Sequence, residues 1–220
     1  MPAENLLNKF ETIALRNEKL FLLPEKAIYW PSKKLLLIAD LHIGKSAHFR
    51  KNGIAVPAIA ENNNWLVLHR LFKLHEPERV CFLGDLFHST KNKAWEVFSE
   101  LISSYPQIQF ELVIGNHDIL PIKNYQDIGF KVLESLLEEP FLFTHEPLEN
   151  KSNYYNLAGH LHPGVKLRGK GKQTHHLPCF YFEKNGGILP AFGAFTGLST
   201  LPIKKDIQVF AIVDDQVMKI

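Results

Sequence analysis

Apolar residues fall along the chain in short runs separated by turn signals, and the runs change character part-way along. Residues 20–23 and 27–30 are brief apolar stretches on either side of Pro24, which predicts two short strands. Leu35, Leu36, Leu37, Ile38 and Ala39 form an unbroken apolar run without alternation, as in a strand covered on both faces. Residues 79–83, 110–114, 141–143 and 155–158 read as further strands. Between them the period lengthens. Pro57 suits a first helical turn, and Trp65, Leu68 and Phe72 recur at helical spacing, which predicts a helix over 57–74. Trp95, Phe98, Leu101 and Ile102 share one face of a second helix over 94–103, and a third is predicted over 127–137. After Pro163, glycines and short strand-like runs take over, with no helical pattern. A first half alternating strand and helix and a β-rich second half predict two packed sheets with helices outside. No linker or repeat interrupts the pattern, so a single domain over residues 1–220 is expected.

Composition narrows this reading only slightly. With 220 residues and 45% hydrophobic content, the chain can bury a substantial core. The net charge is only +2, so any basic surface must be local. Cys81 and Cys179 both lie within apolar runs and read as reduced, buried thiols. The first residues lack a basic stretch leading into an apolar one, and no apolar run approaches the roughly 18 residues of a membrane span. A soluble, cytoplasmic protein without membrane association is expected.

The chemistry gathers where the strands end. The first buried strand runs into Asp40 and His42, and the second into Gly84 and Asp85. The third runs into Gly115, Asn116, His117 and Asp118, the fourth into Thr144 and His145, and the fifth into Gly159, His160 and His162. In an open α/β sheet, ligands bind beyond the carboxyl ends of the strands, so five segments distant in sequence can deliver their side chains to one crevice. Carboxylate and imidazole donors together suit Mn, Fe or Zn, whereas both thiols sit inside strands. A carboxylate after a glycine, such as Asp85, can be placed between two ions. Two ions about 3.5–4 Å apart activate water and clamp the oxygens of an in-line displacement at phosphorus. A lone histidine after a strand is usually structural. Five strand ends bearing such residues are not readily assigned to chance.

This series resembles the motif series of the calcineurin-like metallophosphoesterases across residues 35–163. The resemblance implies a four-layer αββα sandwich of two mixed sheets. It implies one metal held by Asp40, His42 and His162, and a second held by Asn116, His145 and His160, with Asp85 bridging them. His117 would be the acid that stabilises the transition state or protonates the leaving oxygen. Two divalent ions are expected, with manganese favoured over iron or zinc. One departure stands out. The Ser/Thr protein phosphatases of this superfamily carry Asp and Arg three and four residues after the bridging Asp, where this chain has His88 and Ser89. A phosphate clamp must then come from elsewhere, such as Lys45 or Arg50.

The flanks narrow the resemblance. Gly44 and Lys45 after the first motif, then Phe49, Arg50, the stretch 53–57 and the stretch 189–197, are similar to the bacterial DNA ligase-associated metallophosphoesterases. That implies a nuclease or end-processing enzyme acting on DNA in repair, with a DNA ligase and a helicase as partners. Rival readings are a small-molecule or lipid-pyrophosphate hydrolase on the same fold and a catalytically dead scaffold. The first would call for an inserted apolar helix pair and the second for lost ligands, and neither feature is present. The stretch 39–46 also fits a relaxed phosphate-binding loop, but its first position is alanine where glycine is needed, and Asp40 within that loop would repel a triphosphate. Finally, Lys166, Arg168, Lys170 and Lys172 alternate just after His162. If the segment is extended they share one face, either as a basic edge guiding a nucleic-acid backbone or as a solvated hairpin.

Overall fold

The computed structural model describes residues 9–45, 59–88, 91–149, 152–169, 171, 173–193 and 196–220, with backbone alone over 59–63. Its described residues form two mixed sheets. The first contains β1 (Glu11–Leu15), β2 (Glu18–Leu23), β3 (Ala27–Trp30), β4 (Leu35–Ile38), β5 (Arg79–Leu83), β6 (Gln109–Val113) and β7 (Phe130–Leu133), in that spatial order. β1 to β4 pair antiparallel, and β4 to β7 pair parallel. The second contains β8 (Leu136–Glu138), β9 (Phe141–Phe143), β10 (Tyr155–Ala158), β11 (Pro163–Arg168), β12 (Thr174–Phe182), β13 (Gly186–Ile188), β14 (Ser199–Thr200), β15 (Gln208–Val213) and β16 (Gln216–Lys219).

The apolar runs of β4 and β5 are continuous because the strands are covered on both faces. Leu36, Ile38, Val80 and Phe82 meet the apolar stripes of α1 (Ile59–His75) and α2 (Lys93–Ser103), through Leu68, Leu71, Phe72, Trp95, Phe98 and Ile102. Their alternate residues Leu35, Leu37, Cys81 and Leu83 face the second sheet, where Phe141, Phe143, Leu157, Phe180, Phe182 and Phe210 fill the space between the sheets. Each such side chain contributes roughly 1.5–3 kcal/mol by leaving water. Among the described residues the helices lie on the first sheet only. The outer face of the second sheet buries Val165, Cys179, Tyr181 and Val209 under Leu201 and Ile207 of the loop before β15. Both cysteines are buried and free.

The third helix is a correction. In place of a helix over 127–137 there is a short α3 (Ile122–Asp127), ended by Gly129 at φ +95°, and then two strands. Phe130 and Val132 turn to the helix-side core and Leu133 to the inter-sheet core. β7 pairs parallel with β6, and β8 pairs with β9 in the other sheet. The segment therefore passes from one sheet to the other, and strand pairing overrides its helical propensity. β1 has no counterpart in the sequence reading.

Candidate metal centre

The carboxyl ends of β4, β5, β6, β9 and β10 meet at one end of the sandwich. Beyond β4 and β5 the two chains stay zipped. The Asp40 N–H donates to the Gly84 carbonyl, that of His42 to Asp85 at 2.9 Å, and that of Ile43 to Leu86 at 2.9 Å. On the other side, the Phe192 and Gly193 N–H groups donate to the carbonyls of Ala39 and Asp40. The loop carrying Asp40 and His42 is thus held from both flanks.

Side chains are aimed inward by backbone that L-residues seldom adopt. Asp40, His42, Asp85, His160 and His162 all lie at positive φ, between 47° and 67°. Each such residue costs of order 1–3 kcal/mol, and such conformations cluster at functional sites. Glycines supply the clearance. A Cβ on Gly84 would fall 2.2 Å from His145 Nδ1, and one on Gly159 would fall 2.5 Å from Asp40 Oδ2. A Cβ on Gly115 would lie 2.3 Å from the Asp85 backbone nitrogen.

The donors converge on two buried carboxylates. Asp40, His42 and His162 bring ligand atoms within 4.8 Å of one another, and Asp40, Asp85 and His145 do the same. His162 Nε2 lies 3.5 Å from Asp40 Oδ1 and 3.3 Å from His42 Nε2. The two oxygens of Asp85 point different ways, Oδ2 toward His42 Nε2 at 3.6 Å and Oδ1 toward His145 Nε2 at 3.4 Å. His145 Nδ1 donates to the Leu83 carbonyl at 2.9 Å, which fixes the tautomer that leaves Nε2 open. That Nε2 lies 2.9 Å from Asn116 Oδ1 and 3.1 Å from His160 Nδ1. All seven residues expected to bind metal therefore share one cluster.

Asp40 Oδ1 is fully buried and has no hydrogen-bond partner, an arrangement costing several kcal/mol for a charged group unless a cation meets it. His145 Nε2 faces two acceptor oxygens, which a cation also resolves. Burial, helped by Lys45 and the neighbouring imidazoles, pushes His42 down to about 2, keeping it the neutral donor that ligation requires. The residues present fit divalent cations.

Around the donors sit residues with other tasks. His117 is exposed, and its backbone N–H donates to Asp85 Oδ1 at 2.9 Å. Asp118 is buried and accepts from the N–H groups of Leu86, Phe87 and Gly115 and from the Tyr125 hydroxyl, tying the β6 loop to the β5 loop. Burial raises its carboxyl, and the backbone donors oppose that shift. Lys45 lies within electrostatic reach of Asp85 and Asp40, though burial lowers its ammonium. Arg50, Lys170 and Lys172 lie outside the described residues, while Lys166 and Arg168 are exposed on β11. The sequence reading missed His88 as a member of the site. Its ring lies 4.2 Å from that of His117, and its Nδ1 is 3.2 Å from His42 Nδ1. A histidine three residues past Asp85 at the same strand end was the available signal.

Over residues 33–189 the chain matches the calcineurin-like phosphoesterase family. It belongs to that family. As a calcineurin-like phosphoesterase it is a hydrolase, and divalent metals serve enzymes of this kind. Among solved structures it is similar to the Pseudomonas putida nuclease MPE, with 29% identity, 96% of this chain and 100% of that chain covered, and a TM-score of 0.78. It also matches the Yfce phosphoesterase from E. coli, at 17% identity over 84% of this chain and 97% of that one, with a TM-score of 0.45. None of the curated proteins compared matches the chain. No helix among the described residues is long and apolar enough to cross a membrane.

Proposed function

We propose that this calcineurin-like phosphoesterase is a binuclear-metal DNA nuclease that hydrolyses phosphodiester bonds. The observation that carries the binuclear reading is Asp85, which turns Oδ2 toward His42 on the His162 side and Oδ1 toward His145 Nε2 on the other, beside the unpartnered Asp40 Oδ1. Asp40, His42 and His162 would hold one cation, Asn116, His145 and His160 the other, and Asp85 would bridge them. Carboxylate, imidazole and amide donors without thiolate suit manganese, with iron or zinc as substitutes. When bound, such ions supply Lewis acidity and lower the pKa of a water.

The chain's own residues do the rest. His117 stands at the mouth of the cluster and donates a proton to the leaving oxygen. Its backbone is pinned to Asp85, and its ring rests on His88. Lys45, beside both carboxylates, meets a non-bridging phosphate oxygen. Asp118 holds the β6 loop so that Asn116 and His117 face inward. DNA as substrate is supported by the likeness to the nuclease MPE and by the resemblance of the flanking residues to the ligase-associated family. The same resemblance supports a role in DNA repair beside a ligase and a helicase.

The test is an assay of the purified protein, with and without Mn²⁺, on bis-p-nitrophenyl phosphate, p-nitrophenyl phosphate and single-stranded DNA. Manganese-dependent cleavage of the diester and the DNA, exceeding that of the monoester, is expected. Hydrolysis of the monoester alone would sink the nuclease reading.

A further inference from the structure

β12 is longer than its neighbours need. Its residues Cys179 to Phe182 pair with β15, and Tyr181 and Phe182 also pair with β13. Among the described residues, 174–177 pair with β11 alone. Ala158 is level with Tyr181 through Ile188, and β12 runs against β10, so this free part extends past the carboxyl end of β10, toward His160. From Pro178 to Thr174 the projection is roughly 13 Å, at about 3.3 Å per residue.

Register fixes which way its side chains look. Phe180 and Phe182 face the inter-sheet core, and Cys179 and Tyr181 face outward. Alternation puts Thr174 and His176 on the inner side. Their partners Arg168 and Lys166 share that side, while Val165 and Leu167 join the outer cluster. Past the end of the sandwich, the inner side is the one turned toward the first sheet and the metal-bearing loops. Lys166, Arg168 and His176 are all exposed there. The base of the hairpin is fixed to the site: Ser199 N–H donates to the His162 carbonyl at 2.9 Å, and His176 Nε2 lies 3.1 Å from Thr200 Oγ1.

Charge sharpens the picture. Residues 163–178 contain four Lys or Arg and no acidic residue, which leaves 21 basic against 23 acidic residues in the remainder. An otherwise acidic chain thus concentrates positive charge in this stretch of sequence, and among the described residues Lys166 and Arg168 lie on the ribbon beside the candidate metal centre. Resting on the nuclease reading above, we propose that the inner face of the β11–β12 hairpin, through Lys166, Arg168 and His176, is an arm that holds the phosphate backbone of a single DNA strand at the metal centre. A single row of donors follows one backbone rather than spanning a groove.

The test compares wild type with a Lys166→Gln/Arg168→Gln double variant. The control is Lys204→Gln/Lys205→Gln, an equal charge change in the exposed loop over the outer face. Binding of a labelled oligodeoxythymidylate of about 30 nucleotides is followed by fluorescence anisotropy, with metal withheld, between about 50 and 200 mM NaCl; each phosphate contact on a single strand adds about −0.7 to the salt slope. The double variant should show a slope shallower by about 1.4 and, at about 0.1 M salt, roughly 25-fold weaker binding. The control should lose less than about twofold. With Mn²⁺, DNA cleavage should fall at least tenfold more than hydrolysis of bis-p-nitrophenyl phosphate. Equal losses in both variants, or an unchanged salt slope, would overturn the arm while leaving the nuclease reading intact. A larger loss on duplex than on single-stranded DNA would overturn the single-strand assignment. If the wild type hydrolyses the chromogenic diester but neither binds nor cuts DNA, the nuclease reading fails and the arm fails with it.

Discussion

At the candidate metal centre, five residues hold the left-handed backbone region, and three glycines leave no room for a methyl group. In the hairpin that overhangs it, the ladder from Gly164 to Arg168 runs unbroken against Pro178 to Thr174, and none of these residues has positive φ. The two regions begin only residues apart, at His160 and Pro163. One accepts strain of order 1–3 kcal/mol per residue to fix side chains that must converge within a few ångströms. The other asks only for reach and charge, which a regular two-stranded ribbon supplies without strain. Precision at the first region and tolerance at the second should therefore separate under mutation.

The largest effect is expected at Asp85. Asp85→Asn keeps shape and volume but removes the charge facing both histidine groups. Metal content measured by elemental analysis should fall, and activity on every substrate should drop by more than the 10–100-fold that loss of an outer partner costs. Retention of two metals with full turnover would remove Asp85 from the bridging role.

His117→Ala comes next. It leaves the backbone N–H that pins Asp85, so both metals should stay bound. Turnover on DNA should fall by about 10²–10⁴-fold, the usual worth of general acid catalysis. On a p-nitrophenyl ester the loss should be smaller, because p-nitrophenolate leaves without a proton. Equal losses on good and poor leaving groups would show that His117 is not the acid.

Gly84→Ala probes the strained end through its backbone. The new methyl would meet the His145 ring and the Gly115 Cα at 2.9 Å, at a φ of +78°. Relieving this clash should cost about 1–3 kcal/mol. Chemical denaturation should show it, together with weaker metal binding as His145 moves. An unchanged midpoint and metal affinity would mean that the loop has more freedom than its geometry suggests.

What could be read from the sequence follows the same division. The clustering of the candidate donors was legible because each follows an apolar run, and burial of β4, β5 and β6 left the strand ends for polar groups to use. The left-handed backbone at Asp40, His42, Asp85, His160 and His162 was not legible, since no glycine marks those positions. Tertiary contacts alone force them there. β1 was missed because its alternation is short, with only Ile13 and Leu15 buried, although Arg16 and Asn17 at positive φ form the two-residue turn of a hairpin. The segment 127–137 misled because its apolar spacing fits a helix, while its residues serve two different cores. For the hairpin, charge alternation was visible in the sequence. The side it faces emerged only from the register with β12.

The smallest effect expected is on stability in the Lys166→Gln/Arg168→Gln variant. Both side chains are exposed, and no described residue forms a hydrogen bond or ion pair with either. Surface changes of this kind usually stay within about 0.5 kcal/mol. For a chain of this size that corresponds to a shift of roughly 1–2 °C in Tm. Removing like charges from one ribbon relieves mutual repulsion, so the sign should be neutral or slightly stabilising. Differential scanning calorimetry of the metal-loaded protein, paired with metal analysis, reads both quantities. A fall in Tm of several degrees, or a loss of metal, would mean that the two charges help to seat the loop from His160 to His162, making the hairpin part of the strained end rather than a separate arm.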